Sequence, residues 1–157
     1  MFDTSNLTAA DVMTRNVITI GPKATLRQAA QLMLDRAVSA LPVVDAEGHV
    51  LGVVSEAELI RPDEAAENRA RRWLDILAEG EELSPEFLSM VNGIDRPVTK
   101  VMRTDCIRVS ENTPLPEVAA LICKQFTRRV LVMRDERLVG LVARRDLVRV
   151  LTGKKFK

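Results

Sequence analysis

The chain has 157 residues, of which 46% are hydrophobic and 29% are charged, a composition that suits one compact unit or two small domains. No apolar run reaches the roughly 18 to 20 residues that a membrane-spanning helix needs, and the first residues lack the basic-then-apolar order of a secretory signal, so we expect a cytoplasmic protein without a membrane span. The net charge is only +1, but residues 101–157 hold 13 basic and 6 acidic side chains, whereas residues 1–100 hold 10 basic and 16 acidic ones.

The first predicted elements recur later in the chain at a separation of 89 residues. Val12-Met13 corresponds to Val101-Met102, and the strand-like segment 17–20 corresponds to 106–109. A helix is predicted after each strand, because both copies carry apolar residues at i, i+3, i+4, i+7 and i+11, which form one stripe on a helix. The stripe is Leu26, Ala29, Ala30, Met33 and Ala37 in the first copy and Leu115, Val118, Ala119, Ile122 and Phe126 in the second.

After this helix each copy has two short apolar runs separated by a polar turn, which predicts a β-hairpin. The first hairpin joins residues 41–44 to 50–54, and the second joins 130–133 to 138–142 with a turn one residue shorter. A final helix follows each hairpin. Each copy is thus a β-α-β-β-α unit of about 45 to 50 residues, which is too small to bury a stable core alone. We therefore expect the two copies to pair within the chain.

The repeated segments resemble cystathionine-beta-synthase (CBS) domains. The residues that carry the resemblance are Val12-Met13-Thr14, residues 38–45, and the strand-to-helix junctions at 52–59 and 140–147. We predict an α+β fold, a tandem CBS-domain pair or Bateman module, with CBS repeats at 8–60 and 101–152. The resemblance implies a pseudo-twofold pair with two clefts, often a homodimer, and a non-catalytic regulatory role toward an unidentified client protein. It also implies an adenosine-containing ligand: AMP, ADP, ATP, S-adenosylmethionine or a cyclic dinucleotide.

In the family pattern, the junction reads glycine, two apolar residues, Ser or Thr, two variable residues and Asp; the hydroxyl approaches phosphate and the aspartate binds both ribose hydroxyls. The second copy keeps Asp146 but has Ala143 at the hydroxyl position, whereas the first keeps Ser55 but has Glu58 at the carboxylate position. Arginines near Asp146 can replace the missing hydroxyl, because guanidinium groups bind phosphate strongly. The predicted ligand-binding residues are Val17, Ile18, Val38, Ser39, Ala40, Pro42, Arg128, Arg129, Arg145 and Asp146. A second, weaker cleft is predicted at Ser55, Glu58, Cys106, Ile107 and Thr127.

A plainer interpretation of the same residues is structural. A carboxylate such as Asp146 stabilises a helix start by about 0.3 to 1 kcal/mol, and the arginines can be solvated charges that face the acidic half or another subunit. The chain is then a ligand-free interaction module that dimerises through its CBS repeats.

The sequence gives little sign of catalysis, metal binding or nucleic-acid binding. It has no nucleophile paired with a base and no Gly-rich phosphate loop, so we expect no enzyme and no catalytic cofactor. Cys106 and Cys123 have no second pair or nearby histidine, which favours small core residues over zinc ligands, and His49 lies alone in a predicted turn. With 3% aromatic residues, the basic second half offers few stacking surfaces for nucleic acid.

Residues 61–100 match nothing in the repeat and predict a helical insertion. An amphipathic helix is expected over 64–79 with Trp73 and Leu77 on one side, followed by a short helix after Ser84-Pro85-Glu86. The insertion resembles the tryptophan-bearing one of bacterial CBS-pair proteins. We expect it to pack on the module or a dimer partner; docking of a client protein is the less favoured reading.

Overall fold

The computed structural model describes residues 4–60, 95–124 and 127–153, which divide into two compact units. The second-repeat unit is made of the described residues within Met1–Ile18, Asp45–Val50 and Thr104–Lys157. The first-repeat unit is made of those within Thr19–Val44 and Leu51–Arg103. The predicted insertion helices, with Trp73 and Leu77, lie outside the described residues.

The described elements confirm the predicted α+β class. In chain order they are α1 (Ala9–Val12), α2 (Leu26–Arg36), β1 (Ala40–Val44), β2 (Val50–Ser55), α3 (Glu56–Ile60), a 3-10 turn (Val98–Lys100), β3 (Arg108–Ser110), α4 (Leu115–Lys124), β4 (Arg129–Arg134), β5 (Arg137–Ala143) and α5 (Arg144–Leu151). Strands β1 and β2 form one sheet, and β3, β4 and β5 form another in that order. None of the helices in these ranges is long and apolar enough to cross a bilayer.

The first predicted strand forms differently in the two copies. In the second copy β3 pairs in parallel with β4, and the Leu131 N–H donates to the Ile107 carbonyl at 2.9 Å. In the first copy only Ile20 pairs, in a single parallel bridge with Val43, so the predicted strand over 17–20 is wrong in its length. The reason is Pro42, which stands where Leu131 stands and has no N–H to extend a parallel ladder.

Helix α2 begins and ends at residues that cap it. Thr25 accepts the N–H of Gln28 at 3.2 Å, and the Gln28 side chain accepts the Thr25 N–H at 2.9 Å, which is a capping box. The predicted stripe is buried at Leu26, Ala29 and Met33. The stripe ends early, because Ala37 is exposed and closes the helix in the left-handed conformation with φ 53°.

A glycine at position 37 should stabilise the protein. A left-handed conformation is unfavourable for alanine, and the exposed Ala37 methyl loses no packing, so Ala37→Gly is expected to raise the free energy of unfolding by about 0.5 to 1 kcal/mol in urea titrations. Ala30→Gly, inside the same helix, is the matched control and should lower it by about 1 kcal/mol. Equal losses in both variants would contradict the expectation.

The core of the second-repeat unit is formed by α1, β3, α4, α5 and the β4–β5 hairpin, which is antiparallel with a register shift between Val132 and Met133. Its buried apolar residues are Ala9, Val12, Met13, Val109, Leu115, Val118, Ile122, Val130, Val132, Val142 and Val150. Cys123 directly follows the buried Ile122 on α4 and is exposed, whereas Cys106 is half-buried. The prediction that both cysteines are core residues is therefore wrong for Cys123, which lies about 100° round the helix from Ile122.

Each unit contains the segment that precedes the other copy. In the second-repeat unit, Thr14 and Leu141 exchange backbone hydrogen bonds of 2.8 and 3.1 Å. In the first-repeat unit, Val53 and Arg103 do the same with two bonds of 2.9 Å. In each unit, the segment that contains Val-Met and precedes one copy therefore pairs with the hairpin of the other copy.

Two polar contacts fix the turns of the second-repeat unit. Arg134 donates to both carboxylate oxygens of Glu111 at 2.7 to 3.0 Å, which lowers the pKa of the Glu111 carboxyl below its usual value. In the turn after β1, the backbone N–H of His49 donates to Asp45 and is the main cause that lowers the pKa of the Asp45 carboxyl.

Candidate functional site

The β5–α5 junction of the second-repeat unit is built around a buried carboxylate. Asp146 is only 4% exposed, and its Oδ2 accepts the N–H of Ala143, the residue before α5, at 2.8 Å. The Thr14 hydroxyl lies 3.4 Å from Asp146 Oδ1 as a donor, and Arg149 Nη1 lies 3.6 Å from the same oxygen. The carboxylate therefore caps the helix with one oxygen and meets a hydroxyl and a guanidinium with the other.

The same junction gathers the predicted arginines. Arg129 is the first residue of β4 and pairs with Ala143, the last residue of β5. The Arg144 N–H donates to the Arg128 carbonyl at 3.0 Å, which brings the residue before β4 to the start of α5. Arg128, Arg144 and Arg145 are exposed and Arg129 is half-buried. The backbones of four basic residues thus meet at the start of α5, where helix N–H groups also favour an anion.

The corresponding β2–α3 junction of the first-repeat unit has the same backbone but opposite charge. The Glu56 N–H donates to the Ser39 carbonyl at 3.1 Å, which matches the Arg144 to Arg128 bond. Glu58 is 5% exposed, and its Oε2 accepts both the N–H of Ser55, at 2.7 Å, and the Ser55 hydroxyl. The serine hydroxyl, predicted to approach a phosphate, is thus a donor to Glu58 in this structure.

The remaining predicted ligand-binding residues are divided between the two units. Val17 and Ile18 are half-buried in the second-repeat unit with Asp146, whereas residues 38–42 belong to the first-repeat unit. In that segment Ser39 is exposed, Val38 and Ala40 are half-buried, and Pro42 is fully buried.

The residues of the predicted weaker cleft are divided in the same way. Ser55 and Glu58 lie in the first-repeat unit. Cys106, Ile107 and Thr127 lie half-buried in the second-repeat unit, where the Thr127 hydroxyl donates to the Arg129 carbonyl at 3.0 Å.

The sequence did not single out two residues at the Asp146 junction. Thr14 belongs to the repeated Val-Met-Thr motif, but it contacts Asp146 from 132 residues away, so local spacing could not reveal its partner. Arg149 lies one helical turn after Asp146, and an acidic residue followed by a basic one at i+3 was the available signal.

Comparison with known proteins agrees with this architecture. The family model for the CBS domain matches residues 9–63 and 98–153. The uncharacterized protein MJ1232 of Methanocaldococcus jannaschii is 27% identical over 150 residues, which are 95% of this chain and 41% of that protein. The CBS domain-containing protein YhcV of Bacillus subtilis is 28% identical over 137 residues, covering 87% of this chain and 80% of YhcV. The chain spans a much smaller share, 13%, of the A-adding tRNA nucleotidyltransferase of Geobacter sulfurreducens, to which it is 29% identical over 145 residues.

Solved structures share the fold over nearly the whole chain. A conserved protein from Pyrococcus horikoshii matches with a TM-score of 0.72 and 20% identity, covering 99% of this chain and 98% of that one. CBSX2, solved in complex with AMP, matches with a TM-score of 0.69 and 23% identity over 93% of this chain and 96% of that one. The CBS domain pair of protein MJ0100, solved with 5'-methylthioadenosine and S-adenosyl-L-methionine, matches with a TM-score of 0.68 and 21% identity over 95% and 98%. The chain therefore belongs to the CBS-domain family and carries two CBS domains in tandem.

Proposed function

We propose that this protein is a non-catalytic regulatory module that binds an adenosine-containing ligand and signals its presence to a client protein. One observation carries the proposal: the buried Asp146 carboxylate lies at the start of α5 beside four arginines of the same unit. The binding of AMP by CBSX2 and of S-adenosyl-L-methionine by the MJ0100 pair supports the ligand class, which is AMP, ADP, ATP or S-adenosylmethionine.

In the proposed complex Asp146 accepts hydrogen bonds from the ribose hydroxyls. A carboxylate has about four acceptor positions, and Oδ2 uses one for the N–H of Ala143. The Thr14 hydroxyl is a long donor to Oδ1 at 3.4 Å and can rotate away, which frees acceptors for a vicinal diol. Such charge-assisted bonds are about twice as strong as neutral ones.

The arginines supply the phosphate contacts in this proposal. Arg128, Arg144 and Arg145 are exposed around the first turn of α5 and can bind an anionic group in two-point contacts. The junction of the first-repeat unit has Glu56 and Glu58 instead, and its Ser55 hydroxyl already donates to Glu58. A phosphate-bearing ligand should therefore prefer the junction at Asp146, with Val17 and Ile18 of the same unit as apolar neighbours.

We extend the proposal to a homodimer. Within residues 4–60, 95–124 and 127–153, four large apolar side chains are exposed on helices: Leu34 by 79%, Ile60 by 81%, Val148 by 58% and Leu151 by 80%. Leu34 and Ile60 lie in the first-repeat unit and the other two on α5 of the second-repeat unit, so each unit leaves apolar surface that a second copy can cover. Sedimentation of a monomer alone at micromolar concentration would contradict the dimer.

A ligand-free interaction module is the second candidate, and one observation favours it. Asp146 and Glu58 each accept the N–H of the residue that precedes their helix, so both buried carboxylates already have a structural role. Under this alternative no adenosine compound changes the stability of the protein.

A thermal-shift screen of the full chain separates the two functions. AMP, ADP, ATP, S-adenosylmethionine and cyclic dinucleotides are tested, and a ligand at about 100 times its Kd should stabilise by about 2.7 kcal/mol. Arg128→Gln and Arg145→Gln, at exposed positions, should each weaken a nucleotide at least about tenfold. Arg36→Gln, an exposed arginine in the last turn of α2, is the matched control and should bind as wild type does. No shift with any compound, or equal binding by all three variants, would contradict the proposal.

A further inference from the structure

Two turns of the second-repeat unit place carboxylates on both sides of the single histidine of the chain. His49 lies in the turn between β1 and β2, within the segment Asp45–Val50 that belongs to this unit. Its Nδ1 lies 3.5 Å from Oδ2 of Asp45, and its Nε2 lies 3.6 Å from Oε2 of Glu136 in the β4–β5 turn. Both separations are longer than an ordinary hydrogen bond of about 2.7 to 3.2 Å.

The local backbone fixes one side of this arrangement. Asp45 Oδ1 accepts the N–H groups of Glu47 and His49 at 3.0 and 2.8 Å, which holds the turn and leaves Oδ2 directed toward the imidazole. Glu47 lies close to both residues, because one ligand atom from each of Asp45, Glu47 and His49 lies within 4.8 Å of the other two. Two ligands of a tetrahedral Zn²⁺ lie about 3.4 Å apart, given metal–ligand bonds near 2.1 Å. The 3.5 Å between Asp45 and His49 fits that spacing.

We infer that Asp45, Glu47 and His49 form a binding site for a divalent transition-metal ion of the Zn²⁺ class. One imidazole and two carboxylates form a three-ligand set that leaves a fourth position for water. An imidazole ligand favours Zn²⁺, Ni²⁺ or Cu²⁺ over Ca²⁺ or Mg²⁺, which prefer oxygen alone.

The position of Glu136 is a separate observation that points the same way. It comes from a different hairpin and faces Nε2, the ring nitrogen that a metal on Nδ1 leaves as a donor. A histidine that binds a metal commonly donates its other N–H to a carboxylate, which fixes the tautomer and strengthens the ligand. Because His49 links the two turns, a bound ion should also stabilise the second-repeat unit.

Calorimetric titration of the untagged full chain with Zn²⁺ tests the inference. We expect one saturable site, an increase in Tm with Zn²⁺, and no comparable binding of Mg²⁺. His49→Gln should weaken Zn²⁺ at least about tenfold, and Glu136→Gln about tenfold. Asp45→Asn keeps an oxygen for the turn and should also weaken it, as should Glu47→Gln at an exposed position.

Two controls separate this site from other ligands. Asp135→Asn, next to Glu136 and with a φ of 55° that asparagine tolerates, should bind Zn²⁺ as wild type does. The double variant Cys106→Ser and Cys123→Ser should also bind Zn²⁺ as wild type does. Co²⁺ bound to the wild-type site should give no thiolate charge-transfer band. Absence of Zn²⁺ binding, binding that survives His49→Gln, or binding lost only with the cysteines would overturn the inference.

Discussion

Gly52→Ala should destabilise the protein by about 1 to 3 kcal/mol through overpacking. A Cβ at this buried position in β2 would lie 2.7 Å from the Arg103 carbonyl oxygen and 2.9 Å from the sulfur of Met102. The side chain of Met102 can move, but the Arg103 carbonyl accepts the Val53 N–H in one of the two 2.9 Å backbone bonds between these residues. Relief of the clash must therefore disturb the pairing that completes the first-repeat hairpin.

Urea unfolding of three alanine variants measures this effect. Gly21→Ala is the control and should be nearly neutral, because a Cβ there has no atom within 4 Å. Gly140→Ala should fall between the two, since the three atoms nearest to its Cβ would all belong to the side chain of Met13. Unfolding of Gly52→Ala at the same urea concentration as Gly21→Ala would contradict overpacking at Gly52.

Asp146→Asn should separate ligand binding from folding. Asparagine keeps the volume and one oxygen for the Ala143 N–H, but it removes the charge and replaces one acceptor with a donor near Thr14 and Arg149. Loss of a charge-assisted hydrogen bond costs about 1.5 to 3 kcal/mol, so the affinity for an adenosine ligand should fall about 10- to 100-fold. The measurement is calorimetric titration of the folded variant with the best compound of the screen.

Glu58→Gln is the matched control for this substitution. Glu58 has the same capping role in the first-repeat unit, where it is also buried and accepts the Ser55 N–H. Glu58→Gln should lose about as much stability as Asp146→Asn and keep the wild-type affinity for the adenosine ligand. Tight binding by Asp146→Asn would leave the aspartate a structural role alone.

Much of the fold could be predicted because the sequence contains the pattern of the β-α-β-β-α unit twice. The apolar stripes up to Met33 and Ile122, the hairpins and the final helices lie where the repeat places them, whereas Phe126 lies outside the described residues. The shortened first strand was not predicted, since an apolar run shows strand character but only the partner residue, here Pro42, decides whether a ladder can form.

The sequence also could not predict that each Val-Met segment pairs with the hairpin of the other copy. A local motif shows that Met13 and Met102 are equivalent, but it contains no information on which hairpin each one packs against. The structure places Met13 against Gly140 and Met102 against Gly52, where the missing Cβ leaves room for the methionine.

The candidate site was predictable only where its residues are neighbours in sequence. Asp146 and Arg145 are adjacent, and Arg128 and Arg129 precede a strand that the repeat identifies. Thr14 reaches Asp146 through tertiary structure, and the Ser55 hydroxyl bonds to Glu58 because a glutamate is long enough to fold back on the helix start. The sequence cannot identify Glu136 as a partner of His49, because Glu136 lies in another hairpin.

An NMR titration of the ¹⁵N-labelled full chain with the best compound of the screen shows directly whether an adenosine-containing ligand binds at the start of α5. We expect saturable shifts of the amides of residues 143–146 and 128–129, with the Thr14 amide following them. Shifts confined to residues 55–58, or no saturable shift at the α5 start, would contradict it.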